Sequence, residues 1–287
     1  MNDPKSRFTQ TKRLARAAVR ILLRILPPSP AGRLVDRWPT LLRFLPPGKN
    51  LVSRKYLGRC AIRVNTAYGI EYQMLNGVYD PRAQHFIEKY VRPGGVCFDI
   101  GANVGAMTLG CALATGPNGQ VFAFEPGPYF PRLVHNLRLN PKLADIVVPL
   151  RFGLAERTGR LFWMEDATNR GNGSLLPQGE IAVPVTTLDQ FFRDQNLSRL
   201  DFIKIDVNGA EFEVLLGARE TLAAYHPVIY YATNRTCLGS RSAEVYRKTE
   251  ALLRSLGYSL YKFEPDFTPV KTTAADLDPD STLALPD

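Results

Sequence analysis

From about residue 83 onward, short apolar runs of strand length alternate with stretches whose apolar residues recur every three or four positions, the spacing of one helix face. Strands are predicted at residues 95–98, 146–152, 161–164, 181–185, 202–206, 228–231 and 258–263, and helices at 83–91, 106–114, 129–140, 188–194, 211–224 and 244–256. Alternation of this kind predicts an α/β fold, a mostly parallel sheet covered by helices on both faces, with ligands at the carboxyl ends of the strands. Ahead of it, period-two patterning in Ala61-Ile62-Arg63-Val64 and Ile70-Glu71-Tyr72 predicts a short strand pair.

The first 26 residues follow a different rule. On a helical wheel Lys12, Arg13, Arg16, Arg20 and Arg24 fall within an arc of roughly 120°, and Leu14, Ala18, Ile21, Leu22 and Ile25 lie opposite. Leu23 breaks the pattern. Such a helix lies flat on anionic lipid or docks on a partner. Packing on its own domain, or service as an Arg-rich transit peptide, are competing readings. Its uninterrupted apolar runs are three residues long, too short to span a bilayer or to form the apolar region of a secretory signal. Pro27-Pro28-Ser29-Pro30 and Pro46-Pro47-Gly48 mark breaks, so residues 27–50 are expected to be a Pro-rich connector, 51–263 the folded domain and 264–287 an acidic tail.

Charge sharpens this division. Of a net +9, residues 1–26 contribute seven cations against one acid, whereas residues 264–287 hold six acids against one lysine. The middle is only modestly basic, so no nucleic-acid partner is expected. The four cysteines include no C-x-x-C pair and the three histidines are far apart, which points to neither a metal site nor a disulfide framework. The expected location is cytoplasmic, at the inner face of a membrane if the arm binds lipid.

Candidate chemistry starts at Asp99-Ile100-Gly101-Ala102-Asn103-Val104-Gly105, a carboxylate and glycine turn between the strand at 95–98 and the helix at 106–114, with Glu125 twenty positions after Gly105. That is the front half of a Rossmann-like nucleoside site, the second acid standing where ribose hydroxyls are caught. A dinucleotide needs its pyrophosphate on the helix N-terminus and a third glycine, whereas here Asp99 stands directly in front of the turn. S-adenosylmethionine carries no phosphate, and its ammonium and sulfonium favour a carboxylate. It therefore suits the turn better than NAD. A second dense stretch is Ile203-Lys204-Ile205-Asp206-Val207-Asn208-Gly209-Ala210-Glu211. Lys204 and Asp206 share a strand face, which either aims Asp206 at the reactive end of the ligand with Lys204 beneath it or makes a structural ion pair.

With these residues the chain resembles the FkbM family of S-adenosylmethionine-dependent methyltransferases. The likeness rests on Phe98 to Gly105 with Thr108, on Ala123-Phe124-Glu125-Pro126, on Asn136 to Asn140, on Thr187-Leu188-Asp189, and on Ile203 to Val207 with Gly209-Ala210-Glu211. It covers about residues 80–235 and implies a class I methyltransferase fold, with a mostly parallel seven-stranded sheet, that methylates hydroxyl oxygens of small molecules or sugars. It also implies that Asp99, Gly101, Asn103 and Gly105 cradle methionine and ribose, that Glu125 holds the ribose hydroxyls, and that Leu154 lies near adenine. Thr108 and Pro126 complete the expected cofactor-binding set. Asp206, Lys204, Asn208 and Glu211 form the expected catalytic set, with Asp206 or Glu211 as base.

Two positions depart from the family. Asn208 stands where D-V-E-G is usual, and Tyr230-Tyr231-Ala232-Thr233-Asn234 stands where a glutamate is usual. An alcohol is a poor nucleophile until a base takes its proton, so two lost carboxylates leave open a membrane-associated binding protein that retains the fold without catalysis. The polar, glycine-rich run 166–174 reads as a surface loop or as a lid over the acceptor.

Overall fold

The computed structural model describes residues 16–165, 173–179, 181–233, 242–277 and 280–287. Contacts divide the chain into two units, Met1–Tyr79 and Asp80–Asp287.

In the first unit residues 16–25 form helix α1. The expected connector is largely helical: α2 spans Pro28–Arg37, with proline in its first turn. Proline lacks only an N–H that the first helical turn would leave unpaired, so the run read as a breaker starts a helix as well as ending one. A Cβ at Gly32 would stand 1.8 Å from Val52 O, so only glycine lets α2 lie this close to β1 (Asn50–Tyr56). β1 pairs antiparallel with β2 (Cys60–Asn65). The strand expected at 70–72 is instead part of helix α3 (Gly69–Met74), where Glu71 and Met74, three positions apart, face inward and Glu71 Oε2 accepts the Asn65 N–H at 2.7 Å.

The arm also differs from its wheel. Leu23, the apparent misfit, is fully buried, while Ile21, Leu22 and Ile25 are 61%, 46% and 71% exposed. Lys49 Nζ donates to Arg24 O at 2.9 Å and to Leu26 O, a cation at the helix C-terminus where the macrodipole favours one. Lys12, Arg13 and Leu14 lie outside the described residues.

The second unit comprises α4 (Pro81–Tyr90), β3 (Val96–Ile100), α5 (Ala106–Thr115), β4 (Gln120–Phe124), α6 (Phe130–Arg138), α7 (Pro141–Ala144), β5 (Val147–Leu150), β6 (Gly153–Leu154), β7 (Gly159–Glu165), β8 (Gly173–Leu176) and β9 (Ile181–Thr186). It continues with α8 (Leu188–Asp194), β10 (Phe202–Ile205), α9 (Glu211–Leu216), α10 (Arg219–Tyr225), β11 (Val228–Ala232), α11 (Ser242–Ser255), β12 (Tyr258–Phe263), β13 (Pro269–Thr272) and β14 (Ser281–Pro286).

The main sheet runs β13-β12-β14-β11-β10-β3-β4-β5. Its five strands from β11 to β5 are parallel, and β14, β12 and β13 are antiparallel additions. This is the expected Rossmann-like α/β class, with eight strands rather than seven because β13 adds an edge. The expected acidic tail is corrected: β14 inserts between β11 and β12, with Ser281 to Ala284 buried. Charge summed over 264–287 hid the short apolar run that forms this strand. A second correction concerns 161–164 and 181–185, which leave the main sheet and join a separate four-stranded sheet, β6-β9-β7-β8.

Alternation along β3 positions the site. Phe98 and Ile100 face the apolar layer with Phe122, Phe124, Phe191, Ile203 and Leu215; Phe191 meets the rings of Phe98, Phe122 and Phe124 edge to face at 5.0–5.7 Å. Asp99 points to the opposite face, in register with Lys204 on β10, which is in turn in register with Tyr230 on β11. Among the described residues no helix is long and apolar enough to cross a membrane, and Cys60, Cys97 and Cys111 are free and buried.

Candidate active site

The chain leaves β3 for β4 on one side and reaches β10 on the other, so strand order reverses between β3 and β10, where a crevice opens in folds of this kind. A cavity of ≈ 630 Å³ lies there, within the range of small-ligand sites. The ends of β3, β4 and β10 line it on one side, and β6, β7 and β8 of the small sheet on the other.

Its floor is the glycine turn. Gly101, Asn103 and Gly105 take φ of 80°, 51° and 90°, a left-handed backbone that glycine adopts freely and asparagine tolerates. Gly101 has a second reason: a Cβ there would meet Asp206 O at 1.9 Å. The turn's donors are bonded within the chain. Gly101 and Ala102 N–H donate to Phe124 O at 3.0 and 2.9 Å, Gly105 N–H to Ala102 O at 2.8 Å, and Asn103 N–H to Glu125 Oε2 at 2.8 Å. Asn136, one of the motif residues, fastens the turn from behind by donating to Val104 O at 2.8 Å.

Those bonds make a poor pyrophosphate cradle. They suit a neutral nucleoside, because Glu125, 3% exposed, borders the cavity with its carboxylate already aligned by Asn103 N–H and by Gly127 N–H at 2.7 Å. Burial pushes the Glu125 carboxyl above its ordinary range, and the two N–H donors oppose that shift. Each carboxylate oxygen has further lone pairs to accept ribose hydroxyls.

The expected site residues separate into those that line the cavity and those that do not. Gly101, Asn103, Glu125, Pro126, Leu154, Asp206 and Asn208 line the cavity. Asp99, Gly105, Thr108, Lys204 and Glu211 stand outside its lining. Asp99 is fully buried, accepting from Thr108 Oγ1 at 2.6 Å and facing Lys204 Nζ at 3.0 Å, and Lys204 donates to Gly101 O at 2.8 Å. Burial alone would lower the Lys204 ammonium, but Asp99 and Asp206 outweigh it and hold its pKa above the ordinary value. The ion-pair alternative therefore describes Lys204, which braces the turn on which a ligand would rest.

Glu211 has a comparable task. Its carboxylate accepts Val207 N–H at 3.0 Å and Gly209 N–H at 3.0 and 3.2 Å, closing the loop after β10. Burial first, and Asp206 second, push it up to about 7 from an ordinary 4.5. Between those pH values the unfolded chain carries this charge and the folded chain does not. Stability should therefore fall as pH rises through that window, by up to about 1.4 kcal/mol per pH unit, and level off above about 7. Denaturant unfolding at pH 5, 6 and 7.5 checks this. Glu211→Gln should flatten the slope, and an unchanged slope would remove Glu211 as its source.

Asn208 has φ 55° and a tethering role: its Nδ2–H donates to Gly173 O at 2.7 Å, and Ser174 Oγ–H donates to Asn208 O at 3.2 Å. A glutamate at 208 could not make the first bond. The loop read as a lid lies at 166–172 outside the described residues, as does Asn234.

The sequence does not single out two cavity residues, nor an acid that Asp206 influences. Trp163 and Gly153 line the cavity from the small sheet. Asp80, with φ 44°, accepts the Ala83 N–H at 3.0 Å to cap α4, and burial followed by Asp206 among its causes raises its pKa. Asp80-Pro81 was visible as a helix start, but nothing in sequence placed it near Asp206.

Comparisons with known proteins agree with this geometry. The profile described as Methyltransferase FkbM domain matches residues 99–260. The chain is 32% identical over 136 residues to Hexuronic acid methyltransferase AglP of Haloferax volcanii, covering 47% of this chain and 54% of that protein. It is 30% identical over 156 residues to Methyltransferase sdnD of Sordaria araneosa, covering 42% and 60%. It is 29% identical over 150 residues to 2-O-methyltransferase NoeI of Sinorhizobium fredii, covering 46% and 60%. The matched region thus spans between half and two thirds of the length of these curated relatives.

Proposed function

The chain belongs to the FkbM methyltransferase family, and from that premise we propose that it transfers the methyl group of S-adenosylmethionine to a hydroxyl oxygen of a sugar, lipid-linked glycan or other small molecule. The observation that carries the reading is the cavity in which Glu125, at the end of β4, is aligned by the phosphate-averse glycine turn, with Asp206 also on the wall. Gly101, Asn103, Glu125, Pro126 and Leu154 would hold the cofactor, which when bound supplies an electrophilic methyl on sulfur. Asp206 would take the proton of the acceptor hydroxyl as its oxygen becomes nucleophilic. Lys204 and Glu211 would keep the two loops in place, and a water-poor cavity would favour aligned attack. The names of two relatives, a hexuronic acid methyltransferase and a 2-O-methyltransferase, support a sugar hydroxyl as acceptor. Incubating the protein with cofactor labelled in the methyl group and a panel of uronic acids and neutral glycans tests the reading. Label in a product ether supports it, and cofactor binding without any labelled product would favour a binding role.

The arm is assigned to an anionic membrane surface. Arg16, Arg20 and Arg24 are exposed, and so are Ile21, Leu22 and Ile25, which leaves both cations and apolar side chains available to lipid. Each cation near an anionic leaflet contributes about 1 kcal/mol, and salt screens it. Charge reversal at Arg16 and Arg20 should release the protein from anionic vesicles in a sedimentation assay and leave cofactor affinity intact. Equal sedimentation of both proteins would contradict the assignment.

A further inference from the structure

We propose that Trp163 is the aromatic wall of the nucleoside subsite, delivered by the small sheet to the space beside Glu125; the inference rests on the function proposed above. Trp163 lies within β7, is 9% exposed and borders the cavity.

Its ring is seated between two glycines. A Cβ at Gly127 would stand 2.8 Å from Cε3 and Cζ3 of the indole, and a Cβ at Gly173 would stand 2.1 Å from Cζ2 and 2.5 Å from Cε2. Neither glycine has a left-handed backbone, so close packing and not a turn requires glycine at both: the indole crowds each, and Met164 O would also stand 2.7 Å from a Cβ at Gly173. The Gly127 position also lies 2.8 Å from Glu125 Oε1, which puts the six-membered edge of the indole next to the carboxylate assigned to ribose. Tyr129 buttresses the ring edge to face, with centroids 6.0 Å apart.

The indole N–H is buried without a hydrogen-bond partner among the described residues. A phenylalanine could supply apolar contact without that cost, so the larger flat face of tryptophan is what the position uses. Such a face beside a ribose-binding carboxylate suits an adenine ring. The far side of the seat is fixed from the acceptor side, since Gly173 is held by the Asn208 amide. Asn208 thereby acts as a positioning residue for the wall, which accounts for an amide at a place where the FkbM resemblance leads one to expect a glutamate.

The chain has two tryptophans, and Trp38 is 54% exposed in the other unit. Full-length Trp38→Phe therefore reports Trp163 emission alone. Titration with S-adenosylhomocysteine should change that emission saturably, with the same midpoint as calorimetry. Trp163→Ala should weaken calorimetric affinity about ten- to a hundredfold, as expected for losing a base–aromatic stack. Trp163→Phe should recover part of the loss, and both variants should keep the far-UV dichroism of the parent. Calorimetric binding with unchanged emission, or with undiminished affinity in a folded Trp163→Ala, would overturn the wall while leaving the cofactor reading in place. No calorimetric binding by the parent would overturn both.

Discussion

Lys204→Met should destabilise the fold by about 3–5 kcal/mol, the cost of leaving a buried charge without its partner. Asp99 is fully buried, with Lys204 Nζ at 3.0 Å and, among the described residues, the Thr108 hydroxyl as its further donor. The same substitution removes the bond to Gly101 O, so the glycine turn loses its brace. Pairing it with Asp99→Asn removes the stranded charge and should recover much of the loss. Chemical denaturation of the wild type, the two single variants and the double variant measures the coupling. Additive effects would show that the two side chains do not interact, contrary to the contact described.

Asp206→Asn should lower turnover by roughly ten- to a thousandfold with little change in cofactor affinity, because a positioned base contributes about 10² to 10⁴ and an amide cannot take the proton. The substitution keeps size and the backbone bond from Asp206 N–H to Ile100 O at 3.0 Å, so the loop should hold. Single-turnover methylation with the identified acceptor reads the chemical step, and calorimetry reads binding. Full activity would leave the reaction without an assigned base, and a parallel loss of cofactor affinity would move Asp206 from chemistry to binding.

The strand and helix rhythm from residue 83 onward carried the architecture because it is local: burial on both faces makes β3 and β10 apolar except at Asp99 and Lys204. The acid–turn–acid spacing likewise carried Gly101, Asn103 and Glu125 to one cavity. Which side of a strand a residue occupies relative to a ligand is not local. Asp99 therefore read as a cofactor carboxylate, although its face of β3 is sealed by Lys204 and α5. The small sheet was invisible for a related reason. Alternation in 161–164 and 181–185 specifies strands but not their partners, and so the Trp163 wall had no signal. Prolines and summed charge misled at the two ends of the chain, where α2 begins at Pro28 and β14 runs through a segment counted as acidic. Leu23 shows the limit of the wheel, since among residues 16–25 it is the one fully buried while the more obvious apolar stripe of Ile21, Leu22 and Ile25 faces solvent.

The cavity above the glycine turn is proposed to hold a nucleoside cofactor through Glu125. Calorimetric titration of the full-length protein and of Glu125→Ala with S-adenosylhomocysteine, with NAD as the competing ligand, tests it most directly. The expected result is saturable binding of S-adenosylhomocysteine, weakened in the variant by about 1.5–3 kcal/mol through loss of charge-assisted hydrogen bonds, and no comparable binding of NAD. Equal affinity of the two proteins for S-adenosylhomocysteine, or tighter binding of NAD, would contradict it.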